Sequence, residues 1–93
     1  MSMPLTISTH RKIIEAIHQD YAGGRAFALR DLISATGVSS SSVIRTLRLL
    51  KILCLVLYSK RANMGRHYRV SSKWPTTLSE AIYNFELAKI LRV

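Results

Sequence analysis

Apolar and polar positions between Thr9 and Asp20 alternate at helical spacing. Ile13, Ile14, Ile17 and Tyr21 fall within an arc of about 100°, the width of a core-facing stripe, while Arg11, Lys12, Glu15 and Gln19 cover the opposite side. The pattern predicts a first helix that stops at Gly23-Gly24. His18 borders the stripe and is expected to be packed or half-exposed rather than a ligand, because no second His or Cys stands at metal spacing. Leu29 to Thr36 reads as a two-turn helix with Leu32 and Ile33 inward, ended by Gly37, where a left-handed residue costs little. Val38 is placed to plug the angle to the next helix. Ser39 suits the cap of a third helix reaching about Ile52, since its hydroxyl can accept from an orphan N–H of the first turn. Val43, Leu47 and Leu50 form the buried edge of that helix. Two helices joined by a short glycine-containing turn make a helix-turn-helix.

Beyond it the period changes to two. Leu55 to Lys60 reads as a strand, Arg61 to Arg66 as a polar turn, and His67 to Val70 as a second strand with Tyr68 and Val70 on one face. A two-stranded ribbon after a helix-turn-helix, with cations at its tip, is a wing. After Trp74-Pro75, Thr77 and Glu80 have capping-box spacing, so a last helix is expected to start there and run to the end of the sequence. Leu78, Ala81, Ile82, Phe85 and Ala88 form one of its faces, and Tyr83, Leu87, Ile90 and Leu91 another, nearly opposite. One apolar face is enough for a helix on a monomer's surface. The second is therefore expected to meet a further molecule, most simply the same helix of another copy.

The fold class is thus mainly α with a small β-hairpin: a three-helix core, a two-stranded wing and a C-terminal helix. Residues 1–75 are expected to form the winged helix-turn-helix and residues 76–93 a dimerisation element. The chain's 93 residues suit one small domain. No signal peptide is expected, since the first seven residues hold no Lys or Arg. The apolar window Leu47 to Tyr58 is broken by Arg48 and Lys51 and falls short of the ~20 residues of a membrane span. A cytoplasmic, nucleoid-associated protein without membrane contact is expected.

Charge gives the strongest hint of a partner. Fourteen Lys and Arg stand against five Asp and Glu, for a formal charge of +9. Leu32 to Ser79 contains no carboxylate but holds Arg45, Arg48, Lys51, Lys60, Arg61, Arg66, Arg69 and Lys73. Surfaces serving solubility alone mix both signs. A long stretch of one sign fits a surface that meets phosphate, and a nucleic acid is the first candidate. Hydrophobic residues at 48% supply a core, so this is no disordered basic tail.

The run Leu29 to Leu50 resembles the winged helix-turn-helix of bacterial transcriptional regulators, the group that includes the MarR-like and IclR-like families and small fimbrial-operon regulators. The shared features are a leucine-rich helix, a Thr-Gly-Leu/Val-Ser turn, a Ser/Thr-rich helix start and an apolar-Arg-x-Leu core. In this sequence they are Thr36, Gly37, Val38, Ser39, Ser42, Val43, Arg45 and Leu47. The likeness extends through the ribbon, where His67-Tyr68-Arg69-Val70 matches a basic-Tyr-Arg-apolar wing strand. It covers roughly Ile13 to Val70; the last helix fits no single family. The sequence departs from the pattern twice. Cys54-Leu55-Val56 stands where Gly-Leu-Val is common, so the turn into the first strand is expected to be built without the left-handed residue that glycine permits. Ala28 stands where the second helix usually has a Ser or Thr cap.

The resemblance implies that the third helix enters the major groove by its N-terminal half. Its outward strip comprises Ser40, Ser41, Ile44, Arg45 and Arg48, and Ser42 can cap, pack or touch phosphate. Arg45 is the first choice for base reading, since a guanidinium can bond both O6 and N7 of guanine. Ile44 can pack on a thymine methyl or equally against the protein body. Ser39 reads best as a plain cap. At the wing, Lys60, Arg61, Asn63, Arg66 and His67 are expected to contact phosphates or reach into the minor groove, adding affinity more than specificity.

Three functions fit these features. The first is a sequence-specific regulator of double-stranded DNA, acting most simply as a repressor and as a homodimer through the last helix. A nucleic-acid-binding accessory factor in replication, recombination or plasmid and phage maintenance would use the same surface. A winged-helix adaptor for proteins would need an apolar or acidic patch on the third helix, against which its Arg and Ser residues speak. An enzyme is not expected: Cys54 sits in an apolar run without a base, and the three His and five carboxylates have no acid/base or metal spacing. No cofactor is expected.

Overall fold

The computed structural model describes residues 8–61 and 65–91. Its elements are α1 (Thr9–Tyr21), α2 (Leu29–Thr36), α3 (Ser40–Ile52), β1 (Val56–Arg61), β2 (Gly65–Val70) and α4 (Leu78–Leu91). The predicted stripe of α1 is the centre of the core: Ile13, Ile14 and Ile17 are fully buried and Tyr21 nearly so. Leu32 of α2 and Val43, Leu47 and Leu50 of α3 meet them, and α1, α2 and α3 all pack on one another. Burial of each such aliphatic side chain contributes about 1.5–3 kcal/mol. Ile33 and Val38 are only partly buried and lie against this cluster.

The ends of the helices follow from local chemistry. Gly37 takes a left-handed conformation (φ 71°), and its N–H donates to the Ile33 carbonyl at 2.9 Å, stopping α2. At the start of α2 the missing Ser or Thr is offset by Asp31, whose carboxylate accepts from the Ala28 N–H at 2.8 Å. Ser39 caps α3 by accepting from the Ser42 N–H at 3.4 Å. Thr77 Oγ1 accepts from the Glu80 N–H at 3.2 Å at the start of α4.

The turn from α3 into β1 corrects the sequence expectation. Cys54 itself adopts the left-handed conformation that glycine would have supplied (φ 62°). The Cys54 N–H donates to the Lys51 carbonyl at 2.9 Å and the Leu55 N–H to the Leu50 carbonyl at 3.0 Å, the paired bonds of a Schellman helix end. Ser71 Oγ holds the turn by donating to the Cys54 carbonyl at 2.6 Å, and Leu55 is buried in the core beside Leu50. Tertiary anchoring thus offsets a cost of about 1–2 kcal/mol for a residue with a Cβ. Cys54→Gly is expected to raise the unfolding free energy by up to about 1 kcal/mol, because glycine's extra unfolded-state entropy cancels part of the gain. Cys54→Val is expected to lower it, and urea denaturation of both variants checks the sign.

The strands pair antiparallel from Val56↔Val70 through Tyr58↔Tyr68 to Lys60↔Arg66 and Arg61↔Gly65. Pairing therefore extends further toward the tip than the strand bounds expected from residue type, and Arg61 and Arg66 belong to strands rather than to the turn. On its other edge β2 is met by Phe27, which exchanges two backbone hydrogen bonds of 2.8 Å with Tyr68. Phe27 is buried between Tyr21 (ring centroids 4.8 Å apart) and Tyr68 (5.8 Å), and Tyr68 meets Tyr58 at 5.3 Å. Four rings so run from the end of α1 to the middle of the wing. Burial, aided by Tyr58, raises the Tyr68 hydroxyl pKa above its ordinary value against the opposing pull of Arg66.

The last helix is two-sided as its pattern predicts. Ala81, Phe85 and Ala88 are buried against α1 and α3, and Leu78 and Ile82 pack at the margin. Glu86 pins α4 to the start of α1 by accepting from Arg11 Nε and contacting His10 Nε2, each at 3.2 Å, while the His10 ring stacks on Phe85. The Arg11 guanidinium, and after it His10, hold the Glu86 carboxyl below its usual pKa. The segment between β2 and α4 is tied to α1 by Trp74, whose indole N–H donates to His18 Nδ1 at 3.0 Å. No helix among the described residues is long and apolar enough to cross a membrane.

Candidate nucleic-acid interface

Because Val43, Thr46, Leu47 and Leu50 turn inward, the opposite side of α3 presents Ser41, Arg45 and Arg48, all exposed. Ser40 is exposed beside them, and Ile44 stands at 38% exposure on the flank, so it is not absorbed into the body. Ser42 is half-buried and its hydroxyl accepts from Ser39 Oγ at 3.1 Å, which gives it a capping contact. Arg45 leans toward α4, where it borders a recess of about 210 Å³ shared with His10, Leu49, Phe85 and Lys89.

The wing carries its cations on two faces. Side chains alternate along each strand, so Lys60 and Arg66, which are cross-strand partners, share the face of Tyr58 and Tyr68. Both are exposed. His67 lies on the other face opposite Ser59 and is half-buried, with exposed Arg69 and Leu57 further along that face. The Arg61 backbone ends β1, its side chain lies outside the described part, and Asn63 lies outside the described residues.

The face bearing Lys60 and Arg66 is turned toward the end of α3, because Lys51 of that helix lies over the Tyr58 ring. Among the described residues, the ion pairs are those of Glu86 with His10 and Arg11, so the carboxylates leave Arg45, Arg48, Lys51, Lys60 and Arg66 unneutralised. An uncompensated row of cations on a helix and on the adjoining ribbon can hold a polyanion. Neither Lys51 nor Tyr58 was among the residues expected from the sequence. The helical wheel does set Lys51 on the flank of α3 next to Ile44, and strand alternation sets Tyr58 in line with Lys60; only the angle between the elements joins them.

No group of three or more His, Cys, Asp or Glu among the described residues is placed to hold a metal ion. Cys54 is free and exposed at its turn.

Three helices, a helix-turn-helix at α2–α3 and a hairpin packed after it define a winged helix-turn-helix fold. Among solved structures the chain is similar to that of BpsR from Bordetella bronchiseptica, a protein whose DNA binding is regulated by 6-hydroxynicotinic acid. The TM-score is 0.61 at 15% identity, with 94% of this chain and 61% of the BpsR chain covered. This chain therefore spans less than two thirds of that protein's length. No protein-family model matches the chain, and no curated protein does.

Proposed function

We propose that the chain is a sequence-specific regulator of transcription that binds double-stranded DNA, with α3 in the major groove and the wing on phosphate or in the minor groove. The observation that carries this reading is the exposed Ser40, Ser41, Arg45 and Arg48 strip of α3, continued by Lys60 and Arg66 on the wing, with no carboxylate among the described residues paired to any of them. Arg45 reads a base, Arg48 and the serines hold the backbone, and Ile44 packs on a thymine methyl. The wing, with Arg61, Asn63 and His67 completing it, adds affinity. The likeness to a DNA-binding protein supports this reading. Occupation of an operator is sufficient for repression and needs no further domain.

Selection of bound sequences from random duplexes at two salt concentrations tests the reading. An enriched motif supports a regulator, whereas salt-sensitive retention without a motif favours an accessory factor. Arg45→Ala is expected to relax preference at one base pair, costing about 1–3 kcal/mol on the selected site, while Arg66→Ala weakens all sequences alike. Equal losses on selected and random DNA for both variants would overturn the assignment.

Residues 76–93 serve in the same reading as a dimerisation element that also contributes to the core. Tyr83, Ile90 and Leu91 are exposed at 62%, 76% and 64%, and Leu87 joins them at 40%. Pairing of this face with its copy presents two α3 helices to half-sites about 34–36 Å apart and predicts a palindromic site. Sedimentation is expected to show a dimer that Ile90→Glu dissociates. A monomer at high micromolar concentration would remove this part of the proposal.

A further inference from the structure

Lys51 and Tyr58 form a contact that neither helix geometry nor strand pairing requires. The Lys51 ammonium lies 4.6 Å from the centre of the Tyr58 ring, bridging the last turn of α3 to the third residue of β1. Lys51 remains exposed, and no carboxylate among the described residues pairs with it. Tyr58 is itself steadied by Tyr68 across the ribbon. On the same wing face, Lys60 and Arg66 lie one alternation further out. Lys51 at the end of α3 is thus followed, further out on the wing, by Lys60 and Arg66 standing side by side.

We propose that Lys51 is a phosphate-binding residue of the nucleic-acid interface and that Tyr58 is its positioning residue; the proposal rests on the DNA-binding reading above. A duplex held by α3 in one groove and by the wing beside it must pass its backbone through the angle between them, and that angle is where the Lys51 ammonium is held. An aromatic face attracts an ammonium without neutralising it, as a carboxylate would. The ring also restricts a long flexible side chain before DNA arrives, so less rotamer freedom is lost on binding. A charge that meets the backbone rather than a base edge serves affinity for any sequence.

The test measures affinity for a random-sequence duplex across a series of salt concentrations, with the full chain. Lys51→Gln is expected to make the slope of log K against log salt shallower by about 0.9, the share of one phosphate contact. Tyr58→Leu is expected to weaken binding about two- to fivefold at fixed salt, the size of an exposed cation–ring contact. Tyr58→Phe, which keeps the ring, is expected to recover that loss. In a Lys51→Gln background, Tyr58→Leu should cost nothing further, an outcome that simple loosening of the wing would not produce. Salt-dependent binding by the unchanged chain, with a slope that Lys51→Gln leaves intact, would overturn the proposal while sparing the DNA-binding reading. So would a Tyr58→Leu loss of equal size with and without Lys51. Absence of salt-dependent binding to any duplex would overturn the DNA-binding reading itself, and this proposal with it.

Discussion

Replacing Phe27 by alanine is expected to lower the free energy of unfolding by about 3–5 kcal/mol, the usual cost of removing a fully buried aromatic side chain. The residue is 1% exposed and sits between the rings of Tyr21 and Tyr68. Its backbone supplies the pair of hydrogen bonds that borders β2, and alanine would keep those bonds while removing the ring that fills the space beneath them. A chain of this length has a total stability of only about 5–14 kcal/mol on the scale of ~0.05–0.15 kcal/mol per residue. The variant should therefore lose a large part of its margin and melt well below the parent. Phe27→Leu should recover much of the loss. Chemical denaturation followed by far-ultraviolet circular dichroism measures both. A loss for Phe27→Ala below about 1 kcal/mol, outside the range for buried aromatic truncation, would contradict the packing described.

The second large effect concerns salt. Arg45, Arg48, Lys60, Arg61 and Arg66, with Lys51 added, give about six cations for phosphate. At ~0.9 per contact the slope of log K against log salt should be about −5, so affinity should fall roughly a thousandfold between 50 and 200 mM salt. Titration of a fluorescent duplex at several salt concentrations measures it directly. A slope near −1 would mean that most of these side chains do not meet the backbone. Binding would then have to come from another surface.

The parts of the fold legible in the sequence are those in which many residues repeat one message. Ile13, Ile14 and Ile17, and likewise Val43, Leu47 and Leu50, mark core faces by spacing alone, and Gly37 and Ser39 punctuate the helices between which they lie. The two faces of α4 were visible for the same reason, with Phe85 buried and Ile90 at the surface. Phe27 was silent because a single apolar residue between Ala26 and Ala28 has no period, and its burial is decided by a β-strand some forty positions away. At Cys54 residue type alone disfavours the left-handed conformation that the chain adopts. Here Ser71 and buried Leu55 impose it from outside.

The candidate interface divides in the same way. Arg45 and Arg48 could be set outward from the wheel of one helix, and Lys60 and Arg66 could be assigned to the wing from their charge. That Lys60 and Arg66 share a face while His67 takes the other follows from register, which the turn length alone did not determine. The Lys51–Tyr58 contact depends on the angle between α3 and β1, set by the Cys54 turn.

Phe27 bridges β2 only at Tyr68, and among the described residues no strand pairs with the outer margin of β1. Such a margin offers unmatched backbone amides and carbonyls to any passing extended peptide, the usual starting point for strand addition and aggregation. Lys60 and Arg61 stand at its far end, and like charges on two approaching copies repel each other there. Selection for a neutral wing would therefore expose the chain to self-templated clumping, so solubility constrains these basic positions independently of any nucleic acid.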